Sequence, residues 1–202
     1  MIIGLTYDLR SDYLNQGYSM EETAEFDKES TIEAIEQAIQ KAGHETERIG
    51  HAQNLMKALL EGKKWNLVFN IAEGLYGEGR ESLVPALLDA YKIPYAFSGP
   101  VTLGISLNKA FAKQIVKESG VNTPAFHVVS QLSDIQKINL QYPLFAKPIS
   151  EGTGKGIDTK SVINSVEDLQ QVCSNLLSKF NILFIKHQKL FNLLKLYFQY
   201  IS

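Results

Sequence analysis

The sequence predicts an α/β protein: a doubly wound, mostly parallel N-terminal domain followed by a smaller α+β unit. Two observations carry this. From Met1 to Gly120 short apolar runs alternate with amphipathic helical stretches, the pattern of a parallel sheet covered by helices. After Val121-Asn122-Thr123-Pro124, which reads as a linker, the order of elements changes.

Ile2 to Tyr7 is an apolar run of buried-strand type. Asp8 to Lys28 is polar and reads as a loop with one helical turn. Ser30-Thr31-Ile32-Glu33 has capping-box form, and Ile32, Ile35, Ala38 and Ile39 then share one helical face up to a stop at Gly43. Glu45 to Ile49 is a second strand, and Leu55 to Leu60 lies in a second helix ending near Gly62. Trp65 to Ile71 is the strongest strand of the first half. Leu83 to Tyr91 reads as a helix, Ile93-Pro94-Tyr95 as a strand start, and Pro100 to Gly120 as holding one long helix. Beyond the linker come Phe126 to Val129, a short polar helix, the strand Pro143 to Pro148, a loop from Ser150 to Gly156, a strand from Ile157 to Ile163, and a helix from about Ser165 to Phe180. The expected divisions are 1–121, 122–180 and 181–202.

Of the 202 residues, 45% are hydrophobic and 21% charged, which excludes a disordered or collagen-like chain. Twenty basic residues against 22 acidic ones give no overall pull towards nucleic acid or an anionic membrane. Cys173 alone cannot form a disulfide within the chain, so a reducing, cytoplasmic setting is expected. The start lacks the basic region of a signal peptide, and no stretch approaches the roughly 20 apolar residues of a membrane-spanning helix.

Three segments carry chemistry. In Pro143-Leu144-Phe145-Ala146-Lys147-Pro148 a lysine ends an apolar strand, and Ser150-Glu151-Gly152-Thr153-Gly154-Lys155-Gly156 follows. Glycines let backbone N–H groups approach phosphate oxygens, hydroxyls add donors, and Lys147 supplies a point charge. The alternative is a plain hairpin turn. Leu107-Asn108-Lys109, with Lys113 a turn later, reads alone as a solvated helical face. Asn70-Ile71-Ala72-Glu73-Gly74 and Tyr76-Gly77-Glu78-Gly79-Arg80-Glu81 form a polar loop after a buried strand, where binding residues concentrate.

In this order the segments resemble the D-alanine–D-alanine ligase family of ATP-grasp enzymes, over Met1 to about Phe180. The resemblance implies a pre-ATP-grasp N-terminal domain and part of an ATP-grasp lobe. It also implies ATP-dependent carboxylate–amine ligation through an acyl phosphate. It places Lys109 and Lys147 on ATP phosphates and makes Ser150, Glu151, Gly152, Thr153, Gly154 and Gly156 a loop closing on them. Lys147 and Thr153 are the expected catalytic pair, and Glu25, Glu73 and Arg80 the candidates for an amino-acid-like substrate. The expected partners are ATP and that substrate, with neither nucleic acid nor membrane; a homodimer is compatible. The family's Gly-Gly turn after strand one is replaced by Tyr7-Asp8-Leu9-Arg10, and its His-Gly motif after strand three by Asn70 to Gly74, which marks a divergent branch. The family's Mg²⁺ ligands lie in a final third, whereas this chain has no Asp or Glu after Asp168, so no metal ligand is assigned and a C-terminal truncation is expected. The alternative is a non-catalytic remnant with at most weak nucleotide binding. A receiver-like signalling module is disfavoured, because Asn70 stands where such a module needs an acid.

From Ser174 to Ser202 there is no Gly, Ala, Val, Asp or Glu, the five residues whose codons begin with G. One reading is a basic amphipathic helix. The favoured one is an A/T-rich gene read out of frame.

Overall fold

In the computed structural model, residues 1–187 are described, and the chain divides into two compact units, Met1–Leu107 and Asn108–Ser202. The first unit runs β1 (Ile2–Thr6), α1 (Arg10–Asn15), α2 (Glu29–Lys41), β2 (Glu45–Gly50), α3 (Ala52–Leu60), β3 (Leu67–Asn70), α4 (Leu83–Ala90) and α5 (Pro100–Leu107). Its strands are parallel in the order β2-β1-β3, and a parallel bridge from Val68 to Tyr95 extends the β3 side. The chain leaves β1 towards one neighbour through α2 and returns past it to the other through α3. The sheet therefore has a switch point beyond the carboxyl ends of β1 and β3, where doubly wound sheets hold ligands.

Burial explains the strands. Val68, Leu55 and Leu88 are fully buried, and they pack with Ile49, Leu59, Trp65, Val84 and Ile93 in one apolar core. The α2 face is carried mainly by Ile32; Ala38 is exposed. The expected capping box at Ser30 and Glu33 does not form. The helix starts two residues earlier than a cap at Ser30 implies, at Glu29, which pairs with Arg48 of β2, while Glu36, two turns along the same face, accepts from Arg48 at 2.8 Å. The long helix expected over Pro100 to Gly120 is two. Asn108 interrupts it, its side-chain oxygen accepting from the backbone N–H of Ala110 and Phe111 as an N-cap. That cap is also the division between the units, so the expected boundary at 121/122 moves towards the N-terminus.

The second unit runs α6 (Lys109–Glu118), β4 (Phe126–Val129), a 3₁₀ turn (Leu132–Lys137), β5 (Leu144–Pro148), β6 (Val162–Ile163), α7 (Val166–Leu177) and β7 (Leu183–His187). Its sheet is antiparallel, in the order β4-β7-β5-β6. Alternation assigns its two faces. Val129, Leu144, Ala146, Ile163, Leu183 and Ile185 bury one face with Leu169 and Cys173 of α7. On the other, Phe184 packs with Ala110 of α6 and with Ile149.

Two expectations change here. The strand over Ile157 to Ile163 shrinks to two residues. Asp158 accepts from the N–H of Lys160 at 2.8 Å and turns the preceding segment into a 3₁₀ turn. The compositionally odd stretch does not start outside the fold either. Leu183, Phe184 and Ile185 are at most 1% exposed, in a strand paired on both sides. Leu183–His187 therefore belongs to the sheet, and the rest of the expected tail, 188–202, lies outside the described residues.

Candidate functional sites

At the switch point of the first unit, Asp8 ends the β1 run and is 2% exposed. Its carboxylate accepts from the backbone N–H of Glu73 (3.0 Å) and Gly74 (2.8 Å) and from the Tyr13 hydroxyl. It thereby ties the loop after β3 to α1. Gly74 sits at φ +72°, and a Cβ there would stand 3.0 Å from the carbonyl oxygen of Arg80, so glycine is required. Arg10 donates to the carbonyls of Thr23, Ala24 and Phe26, organising the loop before α2. Tyr7-Asp8-Leu9-Arg10 thus orders both loops around the site.

These loops enclose a cavity of about 410 Å³, whose lining includes Tyr13, Tyr18, His51, Tyr76 and Arg80. The Tyr18 and Tyr76 hydroxyls are 2.7 Å apart. His51 Nδ1 is buried without a hydrogen-bond partner among the described residues. Burial, then the Asp8 carboxylate, pushes the Tyr13 phenol far above its ordinary range. The three predicted substrate residues come together here. Glu25 and Arg80 form an ion pair at 2.9 Å, each side chain 5% exposed. Glu73 lies within electrostatic reach of both. Burial foremost, then the charges of Glu81 and Glu25, pushes the Glu73 carboxyl up to about 7. Arg80 reaches the cavity wall; Glu25 and Glu73 do not.

In the second unit one sheet face is basic and aromatic. Across the β5–β7 ladder Lys147 stands opposite Phe184, and Phe145 opposite Lys186. The Lys147 and Lys186 ammoniums lie 5.8 and 5.7 Å from the ring centres of Phe184 and Phe145. Phe126 of β4 stacks on Phe184 at 4.9 Å, and Lys113 of α6 sits 5.7 Å from the Phe126 ring. Burial, then the charges of Lys109, Lys186 and Lys113, lowers the Lys147 ammonium to about 8. Burial likewise lowers Lys186 and, aided by Lys186, Lys113. No carboxylate pairs with Lys147 or Lys113 among the described residues.

Lys109 donates to the carbonyls of Ile149 (3.0 Å) and Glu151 (2.6 Å), which pins the start of the glycine loop. Ser150 is buried, and Glu151 pairs with Lys155 at 2.9 Å. Thr153 and Gly154 form the exposed tip, Thr153 at φ +44°. The carbonyls of Gly152 and Gly154 accept the N–H groups of Lys155 and Ile157, both at 2.9 Å. A Cβ on Gly156 would stand 2.6 Å from the Phe180 ring and 2.8 Å from Pro148 Cγ.

The sequence reading missed Lys186, which it had placed in the tail. A signal was present: Leu183-Phe184-Ile185-Lys186 repeats the pattern of Leu144-Phe145-Ala146-Lys147. Tyr76 lies in the loop singled out from the sequence; His51, and the individual roles of Asp8, Tyr13 and Tyr18, emerge only from the tertiary fold that gathers them.

No family model matches the chain. It is 32% identical to the D-alanine–D-alanine ligase of Aquifex aeolicus over 150 residues, 74% of this chain and 50% of the relative. It is 28% identical to an uncharacterized protein of Sinorhizobium fredii over 155 residues, 73% of this chain and 45% of that one. Among solved structures, the D-alanine–D-alanine ligase of Bacillus anthracis superposes with a TM-score of 0.67 at 21% identity, over 93% of this chain and 57% of that one. The VanG D-Ala:D-Ser ligase of Enterococcus faecalis superposes with a TM-score of 0.66 at 15% identity, over 93% and 62%. The chain spans about half the length of the curated relatives it matches. Over the residues it shares with these relatives, the chain is similar to D-alanine–D-alanine ligases.

Proposed function

We propose that the chain supplies the phosphate-gripping and first-substrate parts of an ATP-dependent carboxylate–amine ligase. In that chemistry a carboxylate is phosphorylated by ATP and the acyl phosphate is captured by an amine. The observation that carries the reading is the basic-aromatic sheet face beside the loop Ser150 to Gly156. Lys147, whose ammonium is disfavoured by burial and by the charges of Lys109, Lys186 and Lys113, sits in a basic neighbourhood suited to a polyanion. Lys113, Lys147 and Lys186 face the phosphates, Lys109 fixes the loop's start, and the loop's N–H groups close over the transferring group. Fixed positive charge of this kind is what phosphoryl transfer relies on. The tyrosine-lined cavity of the first unit takes the amino-acid-like substrate, with Arg80 at its wall and Glu25 and Glu73 setting the local charge.

Mg²⁺ needs several hard oxygen ligands. Among the described residues no three His, Cys, Asp or Glu side chains gather to hold a metal, and no step is assigned to Mg²⁺. Among the described residues no helix is long and apolar enough to cross a membrane.

The test is thermal unfolding and phosphate release with ATP, Mg²⁺ and a panel of D- and L-amino acids. ATP should raise the melting temperature by mass action, and phosphate release should stay well below about one turnover per second. No shift at millimolar ATP contradicts the reading.

A further inference from the structure

Among the described residues Lys147 joins several features at one amine. It is half-buried on β5, lies against the Phe184 ring, has the cations Lys109, Lys113 and Lys186 as neighbours, and pairs with no carboxylate among the described residues. The same surroundings do two things. They attract a doubly charged phosphate, and they disfavour the protonated form of the one amine at their centre. An electrophile that carries its own phosphate would be drawn to a lysine able to attack it.

We propose that Lys147 is a site of covalent acylation by small acyl phosphates, with the neighbouring lysines holding the phosphate and Lys147 Nζ attacking the acyl carbon. The inference rests on the phosphate-binding reading above but concerns a modification of the chain itself. The neutral Lys147 amine adds to the carbonyl carbon and forms an N–C bond. The C–O bond to phosphate then breaks, the electron pair leaving with the phosphate. The proton lost from nitrogen passes to that phosphate or to water. The products are an amide on Lys147 and inorganic phosphate, with no redox change. Acylation removes one positive charge from the face, so the modified chain should hold ATP less well.

Selectivity has a physical basis. With a pKa of about 8, roughly a quarter of the Lys147 amines are neutral at pH 7.5, against about one in a thousand for an ordinary lysine. Part of this gain is lost because a weaker base is a weaker nucleophile. An advantage of about tenfold over exposed lysines is a conservative expectation.

The experiment is mass spectrometry of the full chain after incubation with acetyl phosphate at pH 7.5, scoring acetylation at Lys147 against the exposed Lys64 and Lys160. A parallel arm uses p-nitrophenyl acetate, an acyl donor without phosphate, and a third adds inorganic pyrophosphate as competitor. Lys147 should be acetylated at least about tenfold faster than the exposed pair by acetyl phosphate, with this excess reduced by pyrophosphate and smaller with the ester. Equal rates at the three lysines overturn the inference, as does an excess that pyrophosphate leaves unchanged. ATP binding is measured on the same preparation. ATP bound without selective acetylation defeats this inference alone, whereas absence of both defeats the phosphate-binding reading as well.

Discussion

Burial moves the titrations of Lys147 and Glu73 away from their unfolded values, and the two shifts differ in sign. Lys147 titrates at about 8 in the fold, mainly because it is buried, against about 10.4 when unfolded. Between these values the unfolded chain holds more protons, so stability rises with pH across the window and the penalty is complete below pH 8. Lys147→Met should therefore be more stable than the wild type at pH 7. The difference should shrink as pH approaches 10, read as urea midpoints of both proteins. A constant difference would show that the ammonium is not destabilised. Glu73, lifted to about 7 mainly by burial, holds its proton in the fold where the unfolded carboxyl, near 4.3, has lost it. Its stabilising proton is present below about 4.3 and is lost as pH rises through about 7. Glu73→Gln should thus be more stable than wild type at pH 8 and equal to it near pH 4. A gain of the same size at both pH values would point to packing instead.

At the scale of elements, the strands and helices were legible wherever the apolar period was clean. β1, β2, β3, β5, α4 and α7 fall close to where the pattern placed them, because a buried strand face or helix stripe must be apolar whatever its neighbours. The errors share another cause. The capping box at Ser30, the single helix through Asn108 and the strand before Val162 were each decided by a polar side chain finding a partner: Glu29 on Arg48, Asn108 on its own helix start, Asp158 on Lys160. Hydrogen-bonding choices of that kind leave little trace in periodicity. The candidate site was legible in the same proportion. Lys109, Lys147 and the glycine loop were visible as a motif, whereas the carboxylate of Asp8 and the ring of Phe184 acquire meaning only from what lies across the sheet. Gly156 is the element-scale position most exposed to test. Its left-handed backbone and the 2.6 Å approach of Phe180 leave no room for a methyl group. Gly156→Ala should cost on the order of 1–3 kcal/mol in the second unit, measured by denaturant unfolding. A loss under about 0.5 kcal/mol would mean that the loop readily moves aside.

For the whole molecule, the first unit holds its own parallel sheet and apolar core, so a chain of Met1–Leu107 should fold by itself. A cooperative melt is expected; a broad melt with strong dye binding would show that it needs the rest of the chain. The second unit's claim is electrostatic and is the centre of the account. A face lined by lysines should prefer ATP with its full negative charge, so chelating Mg²⁺ should leave ATP affinity unchanged or raise it. The most direct measurement is isothermal titration of the whole chain with ATP in EDTA, for the wild type and for Lys147→Ala. Saturable binding to the wild type, weakened at least about tenfold by loss of a charge worth about 1.4 kcal/mol or more, is the predicted result. Absence of saturable binding, or equal affinity in the two proteins, would contradict it.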